Sequence, residues 1–160
     1  MANIKTAYGT NGQAITCTLA SLTNSSVRAG TAIDNTSNLY QDALVQIKVK
    51  TGGSGASAQG VVNIYAYATA DGGTTYPEAN GGSDGGVTLV VPTNLRLIGT
   101  LNAVANSITY SSEPMSVALA FGGVLPSNWG IVIENKTGTT LDSTESNHLK
   151  VYQGVYQTVA

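Results

Sequence analysis

Apolar and polar residues alternate along most of this chain with a period of two, which is the period of a β-strand that buries one face. The clearest such stretches are 42–50, 60–69, 114–121, 129–135 and 149–158. The residues predicted to point into a core are Val45, Ile47, Val49, Val62, Ile64, Ala66, Ala68, Met115, Val117, Leu119, Phe121, Trp129, Ile131, Ile133, Leu149, Val151 and Val155.

Weaker alternation and turn signals complete the set of predicted elements. Three shorter strands are predicted over 14–19, 87–91 and 95–101. The Gly-rich stretch 51–60 joins two clear strands, so it predicts a hairpin with a flexible tip. The stretch 134–141 predicts a tight turn, and a short helical turn is expected over 36–43.

About eight strands separated by Gly-rich turns predict an all-β chain with less than about a tenth helix. We expect a single β-sandwich domain, jelly-roll-like, over residues 14–160. Residues 1–13 contain no convincing strand. They are predicted to form an extended N-terminal arm, either frayed or docked on a neighbour.

The amino-acid composition excludes some classes of protein. Charged residues make up 10% of the chain and the formal net charge is −2, whereas apolar residues make up 42%. The apolar fraction excludes a disordered chain, and the seven scattered Lys and Arg residues exclude a typical nucleic-acid binder. A surface with so few charges suits a protein that buries much of itself against neighbours.

The chain carries one cysteine, Cys17, so no internal disulfide is expected. The opening residues MANIKTAYGT lack the apolar core of a signal peptide, and no apolar run approaches the ~20 residues of a membrane helix. We therefore expect synthesis in a cytoplasm and no membrane partner.

The stretch 69–86 is rich in glycine and carries Asp71, Glu78 and Asp84. Its start, TADGGTTY, resembles the Asp-box turn of sialidase-like propellers, in which the aspartate accepts backbone N–H groups and the aromatic residue tucks beneath. One copy in a short chain favours a structural turn over a sugar or metal role. The three carboxylates lack the alternating spacing of a calcium loop, so an exposed hairpin extension without a metal is expected.

Catalytic chemistry has few candidates. His148 follows Asp142 and Glu145 at three-residue intervals, but a zinc site needs more His or Cys than the chain owns, and no Gly-x-Ser-x-Gly elbow is present. We expect His148 to be a surface histidine and Cys17 a small buried hydrophobe. The sequence predicts no catalytic residue, no metal site and no cofactor, and hence no enzyme.

Tyrosines occupy one face of each of two predicted strands, Tyr65 with Tyr67 and Tyr152 with Tyr156. Such faces can stack sugars, bury against another subunit, or be covered by the same domain. Subunit contact and cover within the domain are equally compatible with the sequence. Trp129 is expected in the core.

Three long stretches carry a resemblance of overall pattern: LYQDALVQIKVKTGGSGASAQGVVNIYAYATADGGTTY, NLRLIGTLNAVANSITYSSEPMSVALAFGGVLPSNWGIVIENKTGTTLD and ESNHLKVYQGVYQTV. Over residues 14–158 the chain resembles small structural proteins encoded among the virion genes of tailed bacteriophages. The resemblance rests on no catalytic motif and supplies no site residue.

Such proteins are often capsid decoration (cement) proteins, which resemble β-sandwiches or jelly rolls and are commonly trimers over local threefold axes. The resemblance implies a non-enzymatic protein of the virion's capsid surface, made in the bacterial host cytoplasm. Its expected partners are the major capsid protein and itself, as a homotrimer, with no nucleic acid and no membrane. The alternatives are a tail or head–tail structural subunit and a carbohydrate-binding module on the virion.

Overall fold

The computed structural model describes residues 3–159. Its strands are β1 (Ile4–Tyr8), β2 (Gln13–Ala14), β3 (Val27–Ala29), β4 (Ile33–Asp34), β5 (Asp42–Lys50), β6 (Val61–Thr69), β7 (Gly85–Gly86), β8 (Arg96–Asn102), β9 (Thr109–Ser111), β10 (Met115–Ser116), β11 (Asn128–Lys136) and β12 (Leu149–Val159). Short 3₁₀ helices span Pro77–Ala79, Ala118–Phe121 and Glu145–Asn147. No α-helix occurs in residues 3–159, as the alternation predicts.

The strands form two antiparallel sheets that pack face to face, so the predicted β-sandwich is confirmed. Sheet A has the order β1-β12-β5-β10, with β2 also on β12 and β9 also on β5. Sheet B has the order β7-β3-β11-β6-β8, with β4 also on β11. The finer jelly-roll assignment stays a prediction.

The main core lies between the sheets. The predicted inward residues of β5, β6 and β11 are buried there, with Ala68 partly buried at the margin. Trp129 is fully buried, and its ring meets that of Tyr152 edge-on, with ring centroids 5.3 Å apart. Because Trp129 belongs to sheet B and Tyr152 to sheet A, this contact joins the two sheets. Each large aliphatic side chain buried here stabilises the fold by about 1.5–3 kcal/mol.

The predicted hairpin over 51–60 is wrong. β5 belongs to sheet A and β6 to sheet B, so this loop crosses between the sheets. It pairs instead with the second intersheet loop, 137–141: Gly52 N–H donates to the Thr140 carbonyl at 2.9 Å, and Ser57 N–H donates to the Thr137 carbonyl at 2.8 Å. The turn expected over 134–141 does follow β11, which ends at Lys136.

Four other predicted elements differ. Strand 114–121 stops at Ser116 because Asp42 accepts the Ser116 hydroxyl (2.7 Å) and the Ala118 N–H (2.8 Å), which starts a 3₁₀ turn and leaves Leu119 exposed. Residues 87–91 form no strand, and no helix forms over 36–43. Of residues 14–19 only Ala14 belongs to a strand, β2, although the range keeps the predicted in-and-out alternation.

The last strand has the opposite face inward to that predicted. Tyr152 pairs with Val45 and points into the core, so Leu149, Val151 and Val155 lie on the outer face of sheet A. The glycine at 154 makes this orientation possible, because a Cβ there would overlap the ring of Tyr40.

The expected absence of a strand in residues 1–13 is also wrong, since β1 pairs with the end of β12 from Ile4↔Val159 to Tyr8↔Val155. Val155 is also the last residue of β12 that pairs with β5. Ile4–Tyr8 and Val155–Val159 therefore leave the sandwich as a two-stranded projection, here called the ribbon. Met1 and Ala2 of the predicted arm and Ala160 of the predicted domain lie outside the described residues.

Residues 70–95, here called the cover segment, lie over the outer face of sheet B. They help bury a second apolar cluster of Ala29, Tyr65, Tyr67, Leu95 and Val132, against which Tyr76, Val87 and Leu89 pack. The segment leads from β6 at one side of β11 to β7, which pairs with β3 on the other side. It is therefore a crossover and not the hairpin extension expected over 69–86.

Candidate interaction surface

Cys17 and His148, the two residues best suited to nucleophilic or metal chemistry, are both buried in the fold. Cys17 is buried, as expected, and burial raises the pKa of its thiol to about 12. The thiolate that reacts with substrates or binds metals is therefore disfavoured.

His148 is buried, so the expected surface histidine is wrong. The Lys50 backbone N–H donates to its Nδ1 at 3.3 Å, which leaves the ring proton on Nε2 to be donated to the Asp142 carbonyl at 3.0 Å. Both ring nitrogens thus bond to backbone, and His148 fastens the start of β12 to the end of β5.

Asp142 and Glu145 do not converge on His148 as a triad. The carboxylate of Asp142 accepts the Asn147 amide at 2.8 Å, and this bond heads the contacts that keep its pKa below its usual range. Glu145 accepts the backbone N–H groups of Leu19 (2.9 Å) and Ala20 (2.7 Å) and pairs with Lys150. Each carboxylate holds a loop in place.

The Asp-box-like turn has the predicted geometry. Asp71 accepts the Thr69 hydroxyl and the backbone N–H groups of Thr74 and Thr75 at 2.9 and 3.1 Å, and these bonds keep its pKa below its usual range. Tyr76 turns inward and meets Tyr67 edge-on, with ring centroids 5.3 Å apart. These contacts are those of a structural turn.

The other two carboxylates of this stretch fasten the cover segment. Glu78 accepts the backbone N–H groups of Val90 (2.8 Å) and Asn94 (2.6 Å) within the segment. Asp84 reaches outside it to Arg28 at 2.6 Å and to the Thr18 N–H at 3.1 Å. Within residues 3–159 no three His, Cys, Asp or Glu side chains form a group able to hold a metal.

The pKa of Asp84 is strongly lowered. Burial would raise its pKa, but the hydrogen bonds from Arg28 and Thr18 outweigh burial and lower the pKa to about 2. The carboxylate is therefore charged at neutral pH and stays paired with Arg28.

Glu134, on β11, is a buried carboxylate that the sequence analysis missed. It accepts the Asn63 amide at 2.9 Å and the Tyr65 hydroxyl at 3.0 Å, and Lys136 lies 3.0 Å away. Burial opposes its charge, but these bonds lower its pKa below the usual range. It satisfies polar groups at the margin of the second cluster.

The two pairs of tyrosines lie in different surroundings. Tyr65 and Tyr67 are buried beneath the cover segment, so cover within the domain is the correct alternative for them. The Tyr67 hydroxyl donates to the Gly30 carbonyl at 2.6 Å. Tyr152 and Tyr156 share the inner face of β12, and Tyr156 lies at its margin, with its ring centroid 6.1 Å from that of Tyr40.

One end of the sandwich holds three exposed apolar side chains on two adjoining loops, and we call it the loop end: Leu39, Leu119 and Val124. The loops are joined where Leu125 N–H donates to the Gln41 carbonyl at 3.1 Å. Sequence reasoning missed this set, because the alternation predicts Leu119 in the core.

The loop that carries Leu39 is rigidly built. The Asn35 side chain bridges it, donating to the Tyr40 carbonyl and accepting the Tyr40 N–H, both at 2.9 Å. Leu39 has φ 51°, a conformation that costs a non-glycine residue free energy, and its side chain is 72% exposed. Leu39 therefore adopts an unfavourable backbone conformation while its side chain is exposed to solvent.

A shallow trough of about 470 Å³ lies on the outer face of sheet A. It is lined by the apolar side chains of Leu44, Pro114, Leu149 and Val151 and by the amide side chains of Asn11, Gln46 and Gln153. The trough and the ribbon are parts of one outer face, because β12 runs through both.

No protein-family model matches the chain, and no curated protein matches it. Among the described residues, no helix is both long and apolar enough to span a bilayer.

Proposed function

We propose that the protein is a bacteriophage capsid decoration protein, which binds the outer head surface and stabilises it by bridging major capsid protein subunits. The observation that carries the proposal is the loop end, where Leu39, Leu119 and Val124 are displayed on hydrogen-bonded loops. Exposed apolar side chains on a pre-ordered loop suit docking, because little conformational entropy is lost on binding.

The chemistry-bearing side chains support a structural role. Cys17 and His148 are buried, and Asp142 and Glu145 bond to loops of the same chain. Bridging capsid subunits needs only a binding surface repeated by symmetry. In a homotrimer one modest contact is multiplied by three, because the second and third loop ends bind at high effective concentration.

The contact at the loop end is apolar, so its strength should depend little on salt, since screening acts on charges. This property separates it from a contact made by a basic patch on nucleic acid, whose affinity falls steeply with salt.

The test uses purified heads that lack the protein. The variant Leu39→Ser/Leu119→Ser/Val124→Ser should bind with at least about tenfold lower affinity, as measured by co-sedimentation. The matched control, Val90→Ser/Val91→Ser/Leu97→Ser, changes three other exposed apolar residues and should bind like wild type. Equal occupancy by wild type and the loop-end variant would overturn the proposal for this surface.

A second measurement tests cementing itself. Heads with bound protein should withstand higher temperature than bare heads before releasing DNA. If bare and decorated heads fail at the same temperature, the cement function is wrong and the tail or head–tail subunit becomes the better candidate.

Sugar binding is a second candidate, favoured by one cavity. A site of about 460 Å³ is lined by Tyr40 and Tyr156 together with Ser37, Asn38 and Thr10. Aromatic faces beside hydroxyl and amide groups suit a carbohydrate. Chemical-shift changes at Tyr156 on titration with bacterial surface glycans would favour this candidate, and none at millimolar glycan would remove it.

A further inference from the structure

The ribbon presents apolar residues that nothing in the described chain covers. Ile4 and Val159 lie directly opposite each other near its tip, and each is 68% exposed. Tyr8 lies at its base on the same face and is also exposed. The opposite face of the ribbon packs at its base, where the ring centroid of Tyr156 lies 6.1 Å from that of Tyr40, but Ile4 and Val159 have no such cover. Binding a partner there removes apolar surface from water.

The trough on sheet A is the complementary feature. Leu44, Pro114, Leu149 and Val151 give it an apolar part, and none of its described lining residues is charged. Its volume of about 470 Å³ is large enough for a pair of aliphatic side chains. The trough is therefore an unfilled apolar cavity, and the ribbon carries exposed apolar side chains that could fill it.

The ribbon cannot fill the trough of its own chain. Val151 in the trough and Val159 in the ribbon belong to the same continuous strand, β12. Eight residues of extended strand place them ~26 Å apart. The occupant must therefore come from another molecule, and another copy of this chain carries both surfaces.

We propose that the ribbon of one copy packs into the sheet A trough of the next copy. The two surfaces differ, so the contact is head-to-tail, and a head-to-tail contact closes into a ring when the rotation between copies allows it. Only the expected ring size of three rests on the proposed capsid function. The contact itself is a property of the free protein.

Charge at the two surfaces agrees with this arrangement. The ribbon face that carries Ile4, Tyr8 and Val159 contains no charged residue, and none of the described residues that line the trough is charged. The contact therefore buries no unpaired charge.

Disulfide trapping tests the contact directly. Ile4→Cys and Val151→Cys proteins, mixed under mild oxidation, should give a cross-linked dimer, while each alone should not. Cys17 does not interfere because it is 3% exposed. A chain carrying both substitutions should give a cross-linked series that ends at the trimer.

Two results would contradict the contact between ribbon and trough. Cross-linking of Ile4→Cys to itself would indicate a symmetric ribbon-to-ribbon contact and overturn the proposal. A wild-type protein that sediments as a monomer at 100 µM, with no cross-link in the mixture, would overturn it too. Neither result bears on binding of heads through the loop end, so the two proposals can fail separately.

Discussion

The outer faces of the two sheets differ in what covers them. On sheet B the cover segment lies over Tyr65, Tyr67 and Val132 and buries them in a second apolar cluster. On sheet A, Leu149 and Val151 form a comparable apolar surface, but no segment of the described chain lies over the trough that they line. The same alternating pattern therefore produces a second core on one sheet and an open surface on the other.

This difference separates stability from binding. Side chains beneath the cover segment contribute to the free energy of unfolding of a single chain, because folding removes them from water. Side chains of the trough and ribbon stay accessible to solvent in the single chain. They therefore contribute little to its free energy of unfolding and mainly to the free energy of binding a partner. Substitutions on the two faces should accordingly affect different measurements.

The largest effect is expected from placing a carboxylate on each face. Val132→Asp puts a charge without a partner in a fully buried position and should lower the free energy of unfolding by at least about 3 kcal/mol. Val151→Asp should cost the free chain about 1 kcal/mol or less, but it should abolish self-association.

Urea unfolding of dilute protein, followed by fluorescence of the buried Trp129, measures the first quantity, and sedimentation measures the second. If Val151→Asp unfolds the isolated chain as severely as Val132→Asp, the outer face of sheet A is part of the core, and the contrast between the sheets is wrong.

A smaller effect is expected from removing one hydroxyl. Tyr67→Phe deletes the bond to the Gly30 carbonyl and leaves that buried acceptor unpaired, which should cost about 1–3 kcal/mol. Tyr8→Phe on the ribbon is the matched substitution and should change the free energy of unfolding by about 0.5 kcal/mol or less. Equal losses for the two variants would mean that the Tyr67 bond does not stabilise the second cluster.

Much of the sandwich was predictable because alternation is a local property. Val45, Ile47 and Ile131 lie in strands with one clearly apolar face, and those faces are buried. The face of β12 was not predictable in this way, because aliphatic residues alternate there with tyrosines and a lysine. The choice depends on Gly154 facing the ring of Tyr40, which is distant in sequence.

Sheet membership and the candidate site depend on long-range contacts as well. Nothing in 51–60 specifies that it pairs with 137–141, so a hairpin was the natural expectation. The turn at Asp71 was predictable because its donors are three and four residues away. The loop end was not, since Leu119 is exposed by hydrogen bonds to Asp42, far along the chain.

A change of pH tests how the cover segment is fastened. The folded pKa of Asp84, about 2, lies below the ordinary value of 3.8, so its ionised form stabilises the folded state. This stability is fully present above pH ~4 and is lost as the pH falls towards 2. In Asp84→Asn, the free energy of unfolding should therefore depend less on pH between 4 and 2.

Arg28→Gln is the intermediate case, because it removes the cation but leaves the Thr18 bonds to Asp84. Its pH dependence should fall between those of wild type and Asp84→Asn. An unchanged slope in Asp84→Asn would show that this carboxylate does not fasten the cover segment.

The smallest effect is expected from calcium, and it decides whether the cover segment depends on an ion. Asp71 bonds to its own turn, Glu78 to backbone N–H groups near Val90, and Asp84 to Arg28. Their oxygens are thus directed at separate donors, whereas calcium needs six to eight oxygens around one point. Millimolar calcium or EDTA should therefore move the melting temperature by less than about 2 °C, as measured by differential scanning calorimetry. A larger rise in melting temperature with calcium, lost in Asp71→Asn, would mean that a bound ion organises the cover segment. The difference between the two sheets would then depend on that ion and not on the chain alone.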